Sequence, residues 1–334
     1  MPVLCDARVS ASILLGVSLA AGVPRAAVAD GSRAIDPWSR AVLPADRALS
    51  GGVVRLRAAG SQMIRVPQSV FLMGSTELEV MEAGAACGPL RIGLTGENTV
   101  NSCSEVWFAT ELPRHQVTVS SFWLDRTEVT VAEYERCVAL HHCRPVPFAE
   151  GARRFRQPFL PISLVTWEDA ARLCALRGGR LPTEAEWERA ARGLRRSTYP
   201  WGSRFHHHVA NYGRVGWDTT DDRDGYAELA PVGSFPAGRT AEGFLDLAGN
   251  VSEWVADRFG PYEPGPADNP RGPQGALAGG TSDRVVRGGD FRSAPPVLRA
   301  AARQQASATL RAPTVGFRCA RPAVPSGMAG QGRK

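Results

Sequence analysis

The chain has 334 residues, 43% of them hydrophobic and 22% charged, with a formal net charge of +6. That balance excludes a chain disordered by composition, and the length admits one large domain or two modest ones. All the basic residues but Lys334 are arginines, scattered with no basic stripe, so the bias reads as the mark of a GC-rich genome and no nucleic-acid partner is expected.

Residues 1–29 carry Arg8, an apolar run over 10–23, and Ala27-Val28-Ala29 before Asp30. This is the layout of a secretory signal peptide cleaved after Ala29. The run is short of the ~20 apolar residues that span a bilayer, so the expectation is an exported protein, periplasmic or secreted, with no membrane anchor after cleavage. Residues 30–62, rich in Ala, Arg, Gly and Ser, read as an extended leader. A domain begins at Met63, where MIRVPQSVFLMGS alternates like a strand. Residues 76–112 hold Cys87 and Cys103 among Gly84, Gly88, Pro89 and Gly96, and read as a disulfide-pinned loop.

Three helices follow from one signature. Thr130, Thr166 and Thr183 precede Glu133, Asp169 and Glu186 by three residues, so each hydroxyl can accept a first-turn N–H while the acid sits at the positive helix end; the two Glu cases fit a capping box. Tyr134, Cys137 and Val138, then Ala170, Leu173 and Cys174, then Trp187, Ala190 and Ala191 supply apolar faces. Gly178 and Gly193 stop the last two helices. Beyond residue 194 helical periodicity disappears, and short extended pieces (PVGSF, RVVRGG, GFRCA) stand among loops. The domain should close near residue 322, with 323–334 a disordered tail.

Six cysteines survive cleavage: Cys87, Cys103, Cys137, Cys143, Cys174 and Cys319. An even number in an exported chain suggests three disulfides, although the residues alone leave about fifteen connectivities open. No C-x-x-C pair speaks for metal thiolates. Asp218, Asp221, Asp222 and Asp224 crowd one loop, which asks for a cation, and oxygen-only chemistry suits Ca²⁺. The spacing is not that of an EF-hand, because with Gly225 as the loop glycine the twelfth position falls on Pro231. The triplet His206, His207 and His208 reads as a solvated loop, since adjacent side chains splay apart. No G-x-S-x-G is present.

The ordered series RLPTEAEWERAARG, ANYGRVGWDTTDDRDGY, GFLDLAGNVSEW, RVVRGGDF and VGFRCAR resembles the formylglycine-generating enzyme (sulfatase-modifying factor) family. The resemblance covers about residues 63–322 and implies an α+β, C-type-lectin-like fold with little regular secondary structure. It favours the pairs Cys87–Cys103, Cys137–Cys143 and Cys174–Cys319. It also implies two structural calcium sets. In the first, Asn211 and Asp224 match side-chain ligands and Tyr212 and Tyr226 carbonyl ligands; in the second, Asp246 and Glu253 match side chains and Gly249 and Val251 carbonyls.

The sulfatase-modifying members hold two cysteines after the RGG, binding Cu(I) that activates oxygen to convert a substrate cysteine to formylglycine. Here Ser293 stands at the first position, and the second falls in a shortened stretch around Pro296 and Val297. A hydroxyl is too hard to replace a thiolate on Cu(I), so copper is not expected. Asp290, Arg292, Ser293, Arg299 and Arg303 in the same stretch are candidates to line a pocket for a carboxylate, sulfate or sugar, while Arg299 and Arg303 also fit a purely structural role. Family members without the cysteine pair include iron-dependent sulfoxide synthases, which carry an added helical domain with iron-binding histidines that this chain lacks, and exported proteins of pyoverdine maturation. The expectation is an exported binding or accessory module whose ligand is a protein, peptide or small molecule. The alternative is an enzyme of altered mechanism acting on an exported peptide or secondary metabolite.

Overall fold

The computed structural model describes residues 62–87, 105–213, 222–274 and 283–323. Residues 1–61, Cys103, Asp218, Asp221 and the tail from 324 lie outside the described residues. The alternation at the start of the domain becomes β1 (Met63–Val66) and β2 (Ser69–Met73), which bury Val66, Phe71 and Met73. The next segment departs from the sequence reading. Glu77–Ala86 is a helix (α1), followed by a short helix at Glu105–Phe108 (α2). Thr76 caps α1 with a full capping box: its hydroxyl accepts the Glu79 N–H, and the Glu79 carboxylate accepts the Thr76 N–H at 2.9 Å. The signature is the one that marked the later helices, and Gly84 costs the helix only about 1 kcal/mol against alanine.

Strands β3 (His115–Val119) and β4 (Phe122–Asp125) lead into α3 (Val131–Ala139), α4 (Trp167–Leu176) and α5 (Glu184–Arg192). All three helices open on the expected threonines, and Asp169 completes a capping box as the two glutamates do. The later strands are β5 (Ser252–Arg258), β6 (Ala267–Asp268), β7 (Asp283–Arg287), β8 (Arg303–Ser307), β9 (Val315–Phe317) and β10 (Ala320–Pro322). RVVRGG thus enters β7, and GFRCA divides between β9 and β10. PVGSF is a turn, closed by the Ser234 N–H donating to the Pro231 carbonyl.

The strands form three small sheets, ordered β1-β4-β10, β2-β3-β6 and β8-β7-β5-β9. The last pairs β5 antiparallel to β7 and parallel to β9, so that Trp254 lies opposite both Val286 and Phe317. Helix α5 packs against these layers and is buried along its whole length, charged residues included. Burying ions is tolerable only where each is paired. Glu184 meets Arg287 and Arg303, Glu188 meets Arg287 and Arg192, Glu186 meets Arg180, and Arg189 meets Glu242. Cys137–Cys143 closes the end of α3, and Cys174–Cys319 ties α4 to the closing segment across 145 residues with a Cα–Cα distance of 5.4 Å. Cys87 is also disulfide-bonded; its expected partner Cys103 lies outside the described residues.

Candidate ligand-binding turn and calcium sets

Strand β7 ends on Arg287, whose guanidinium is fully buried and held by Glu184 at 2.8 Å and Glu188 at 2.6 Å. The chain then reverses on Gly288 (φ +92°) and Gly289 (φ +67°), a region that favours glycine. A Cβ on Gly289 would lie 2.9 Å from Leu298 and 3.1 Å from Ser293, so the reversal also needs the space. Residues 290–293 follow as a tight turn. The Asp290 N–H donates to the Ser293 hydroxyl (3.0 Å), the Arg292 N–H to the Asp290 carboxylate (2.8 Å), and the Ser293 N–H to the Asp290 carbonyl (2.8 Å). Ser293, at the position of the family's first cysteine, therefore closes a turn.

The turn is braced from outside. The Gly213 N–H donates to the Ser293 carbonyl at 3.0 Å, and a Cβ on Gly213 would fall 2.4 Å from the Arg292 carbonyl oxygen. Segment 199–213 thereby lies against the turn and brings an aromatic group with it. Tyr199 stacks on Trp201 (5.2 Å, 3° between planes), Phe205 meets Tyr212 edge-on at 5.0 Å, and Leu298 packs among them. His207, exposed like its two neighbours, engages the Tyr212 hydroxyl through Nδ1 at 2.6 Å. The sequence reading missed this aromatic wall, because its members follow no helical or strand period.

Of the five pocket candidates, three stand on the turn and two do not. Arg299 is 7% exposed and bidentate to Glu111, which also accepts the Ser75 hydroxyl. Arg303 is 3% exposed and bidentate to Glu184. Both face inward, and the pocket reading is corrected for them: their ion pairs join β8 and its approach to α5 and to the segment after α2. Asp290, half-buried, has its carboxyl pushed up to about 6 by burial, against the opposing pull of the Arg292 N–H, the Arg292 charge and Ser293.

The two calcium sets differ. Asn211 is buried, its amide nitrogen donating to the Glu228 carbonyl (2.7 Å) and to the Asn250 side-chain oxygen (3.1 Å). Its side-chain oxygen is buried with no hydrogen-bond partner, the state of an acceptor suited to a hard cation. Asp224 reaches the same segment, accepting the Tyr212 N–H at 2.7 Å and the Tyr226 N–H at 2.9 Å. The residue types of this set fit calcium.

In the second set Glu253 is already engaged: it accepts Arg318 through both oxygens (2.6 and 2.7 Å) and the Trp187 indole N–H at 2.8 Å. A cation bound there would face the buried Arg318 guanidinium. Asp246 accepts the Gly233 N–H at 2.6 Å, and the Gly249 and Val251 backbone lies beside it in chain order. A residue outside the expected set joins it: Glu128, buried, with one carboxylate oxygen unpartnered. Burial first, then the charge of Asp246, hold the Glu128 carboxyl well above the usual carboxylate range. Among the described residues no group of three or more His, Cys, Asp or Glu side chains is arranged to hold a metal. Every described cysteine is in a disulfide, and the sequence has no cysteine between Cys174 and Cys319.

Residues 55–323 match the sulfatase-modifying factor enzyme 1-like domain. The chain belongs to that family. It is similar to the formylglycine-generating enzyme of Mus musculus, 27% identical with 96% of this chain and 90% of the relative covered. It is 36% identical to the inactive Cα-formylglycine-generating enzyme 2 of the same organism, over 54% of this chain and 58% of the relative. Among solved structures it resembles PvdO from Pseudomonas aeruginosa, with a TM-score of 0.58, 26% identity, and 78% and 94% of the two chains covered. A Treponema denticola variable protein shares the fold, with a TM-score of 0.52 at 18% identity, over 78% of this chain and 95% of that one. The family thus includes relatives named inactive, and the mixed α+β, C-type-lectin-like architecture is that of its members.

Proposed function

We propose that this chain is an exported, non-oxidase member of the family that binds a ligand or partner at the 290–293 turn. The observation that carries this reading is the replacement of the copper-binding cysteines by Ser293 and the proline stretch. In the fold the Ser293 hydroxyl accepts the Asp290 N–H, and no described cysteine is free to substitute. Thiolates are what a soft Cu(I) ion needs. The relatives named inactive support a member without the oxidase reaction, and the disulfides suit an oxidising compartment outside the cytosol.

A structural calcium ion at Asn211 and Asp224, with the Tyr212 and Tyr226 carbonyls, belongs to the same proposal. Its part is to hold Asn211 and Tyr212, which lead into Gly213 against the turn, together with Asp224 and Tyr226. Cu(I) titration of the full chain against a chromophoric chelator tests the reading. The wild type is expected to take up copper no better than Ser293→Ala; a tight, stoichiometric Cu(I) site in the wild type alone contradicts it.

A further inference from the structure

Five described arginines carry a buried Nε with no hydrogen-bond partner: Arg114, Arg192, Arg284, Arg287 and Arg292. In four of them another nitrogen of the guanidinium is engaged by a carboxylate or a carbonyl. Arg114 pairs with Glu79, Arg192 with Glu188, and Arg287 with Glu184 and Glu188, while Arg284 donates to the Ala256 carbonyl and lies 3.7 Å over the Trp167 ring. Arg292 differs. Among the described residues its guanidinium has no carboxylate or carbonyl as a hydrogen-bond acceptor; it lies over the face of Phe291 at 5.1 Å and feels the charge of Asp290 without bonding to it. An exposed arginine hydrates its donors, whereas a half-buried one with a desolvated, unmet Nε leaves binding energy unused. Its backbone is fixed by the 290–293 hydrogen bonds and by Gly213, so little ordering cost remains for a ligand to meet.

We infer that Arg292 is the anchor of an oxyanion site, receiving a carboxylate or sulfate group through its guanidinium fork. This rests on the turn being the ligand-binding surface. The fork matches two oxygens of a planar carboxylate or one face of a sulfate, and the Phe291 ring beneath keeps the opposite side dry. Asp290 stands beside it as the only acid of the turn, so the site favours an anion most when that carboxyl is neutral.

The test is a titration of the full chain, ¹⁵N-labelled on arginine, with sodium acetate and separately with sodium sulfate, chloride replacing them at constant ionic strength to hold screening fixed. The Nε–H resonance lost in Arg292→Lys identifies the residue. The expected result is a saturable shift of that resonance with acetate, sulfate or both, absent in chloride. Arg292→Gln should abolish the saturable binding, and Arg292→Lys, which keeps the charge without the fork, should weaken it about tenfold. Saturation by acetate alone assigns a carboxylate ligand, and by sulfate alone a sulfated one. A shift that never saturates, that chloride reproduces, or that Arg292→Gln retains overturns the inference. If Arg292→Gln loses its near-ultraviolet dichroism, the wild-type isotherm and the lysine variant decide. Loss of the anion site with the chain still inert as an oxidase removes only the ligand class; oxidase activity removes the functional reading itself.

Discussion

Asp257 is 3% exposed and accepts the Glu184 N–H at 2.8 Å, with no ion pair among the described residues. Burial, then the charge of Glu184, push its carboxyl up to about 7. The folded value lies above the unfolded one of about 3.9, so the folded state binds the proton more tightly and stability declines as pH rises between the two. Above pH 7 the full cost of the buried charge is present. Asp257→Asn keeps an acceptor for Glu184 and removes the titration. Its urea midpoint should change less between pH 4 and 7, and at pH 8 its unfolding free energy should exceed that of the wild type, by no more than about 4 kcal/mol. Parallel curves for the two proteins would contradict this. Glu184 has the opposite sign: although burial raises its carboxyl, Arg303 and Arg287 together hold it below the usual value. Its contribution is present above the unfolded carboxylate pKa and is lost in acid. The sequence showed Arg287 and Arg318 only as scattered charges and offered Arg303 as either a pocket candidate or a structural residue. That Arg287, Arg318 and Arg303 are core residues depends on acids distant in the chain, with Glu253–Arg318 spanning 65 positions, and no local pattern records such a pair.

Helix starts were legible because a cap is a local arrangement, a hydroxyl and an acid three residues apart. Helix α1 carries the same signature at Thr76 and Glu79, and the glycines and cysteines around it masked a signal that was present. Thr183 bears more load than Thr76, since it opens the fully buried α5. Thr183→Ala should therefore cost about 1 to 2 kcal/mol of unfolding free energy and Thr76→Ala about 1 or less, readable by chemical denaturation. An equal or inverted order would contradict the ranking. The Cys174–Cys319 bridge closes a loop across 145 residues, and the loop-entropy account assigns it about 4 to 5 kcal/mol. Paired Cys174→Ala and Cys319→Ala changes should lower stability on that order, whereas removing Cys137–Cys143, across 6 residues, should cost distinctly less. The long-range pairing was readable only through the family resemblance, because six cysteines leave the connectivity open.

At the scale of the whole molecule, loops carry much of the fold between small sheets, and a cation binding only the native state adds stability with its concentration. Under the calcium proposal, chelator should lower the melting temperature by several degrees and added calcium restore it. Asp224→Ala should blunt that response. Glu253→Ala should behave differently: it orphans buried Arg318, so it should lower stability by about 3 to 5 kcal/mol while leaving the calcium response of the Asn211 set intact. A melting curve indifferent to chelator contradicts the calcium proposal. The five ordered motifs made the architecture legible, but the ligand surface was less so: Arg299 and Arg303 turned inward, and the aromatic wall beside Gly213, although it comes from the one segment 199–213, follows no helical or strand period and meets the 290–293 turn only through the tertiary fold.

The measurement that tests the central claim most directly is mass spectrometry of a sulfatase-motif cysteine peptide after incubation with the full chain, copper, reductant and air. The reaction requires two protein thiolates on Cu(I), and the 290–299 stretch offers a hydroxyl committed to the Asp290 N–H and two prolines. The peptide should return with its cysteine unconverted, while a cysteine-containing formylglycine-generating enzyme converts it in parallel. Mass loss matching an aldehyde in place of the thiol, produced by this chain, would contradict the account.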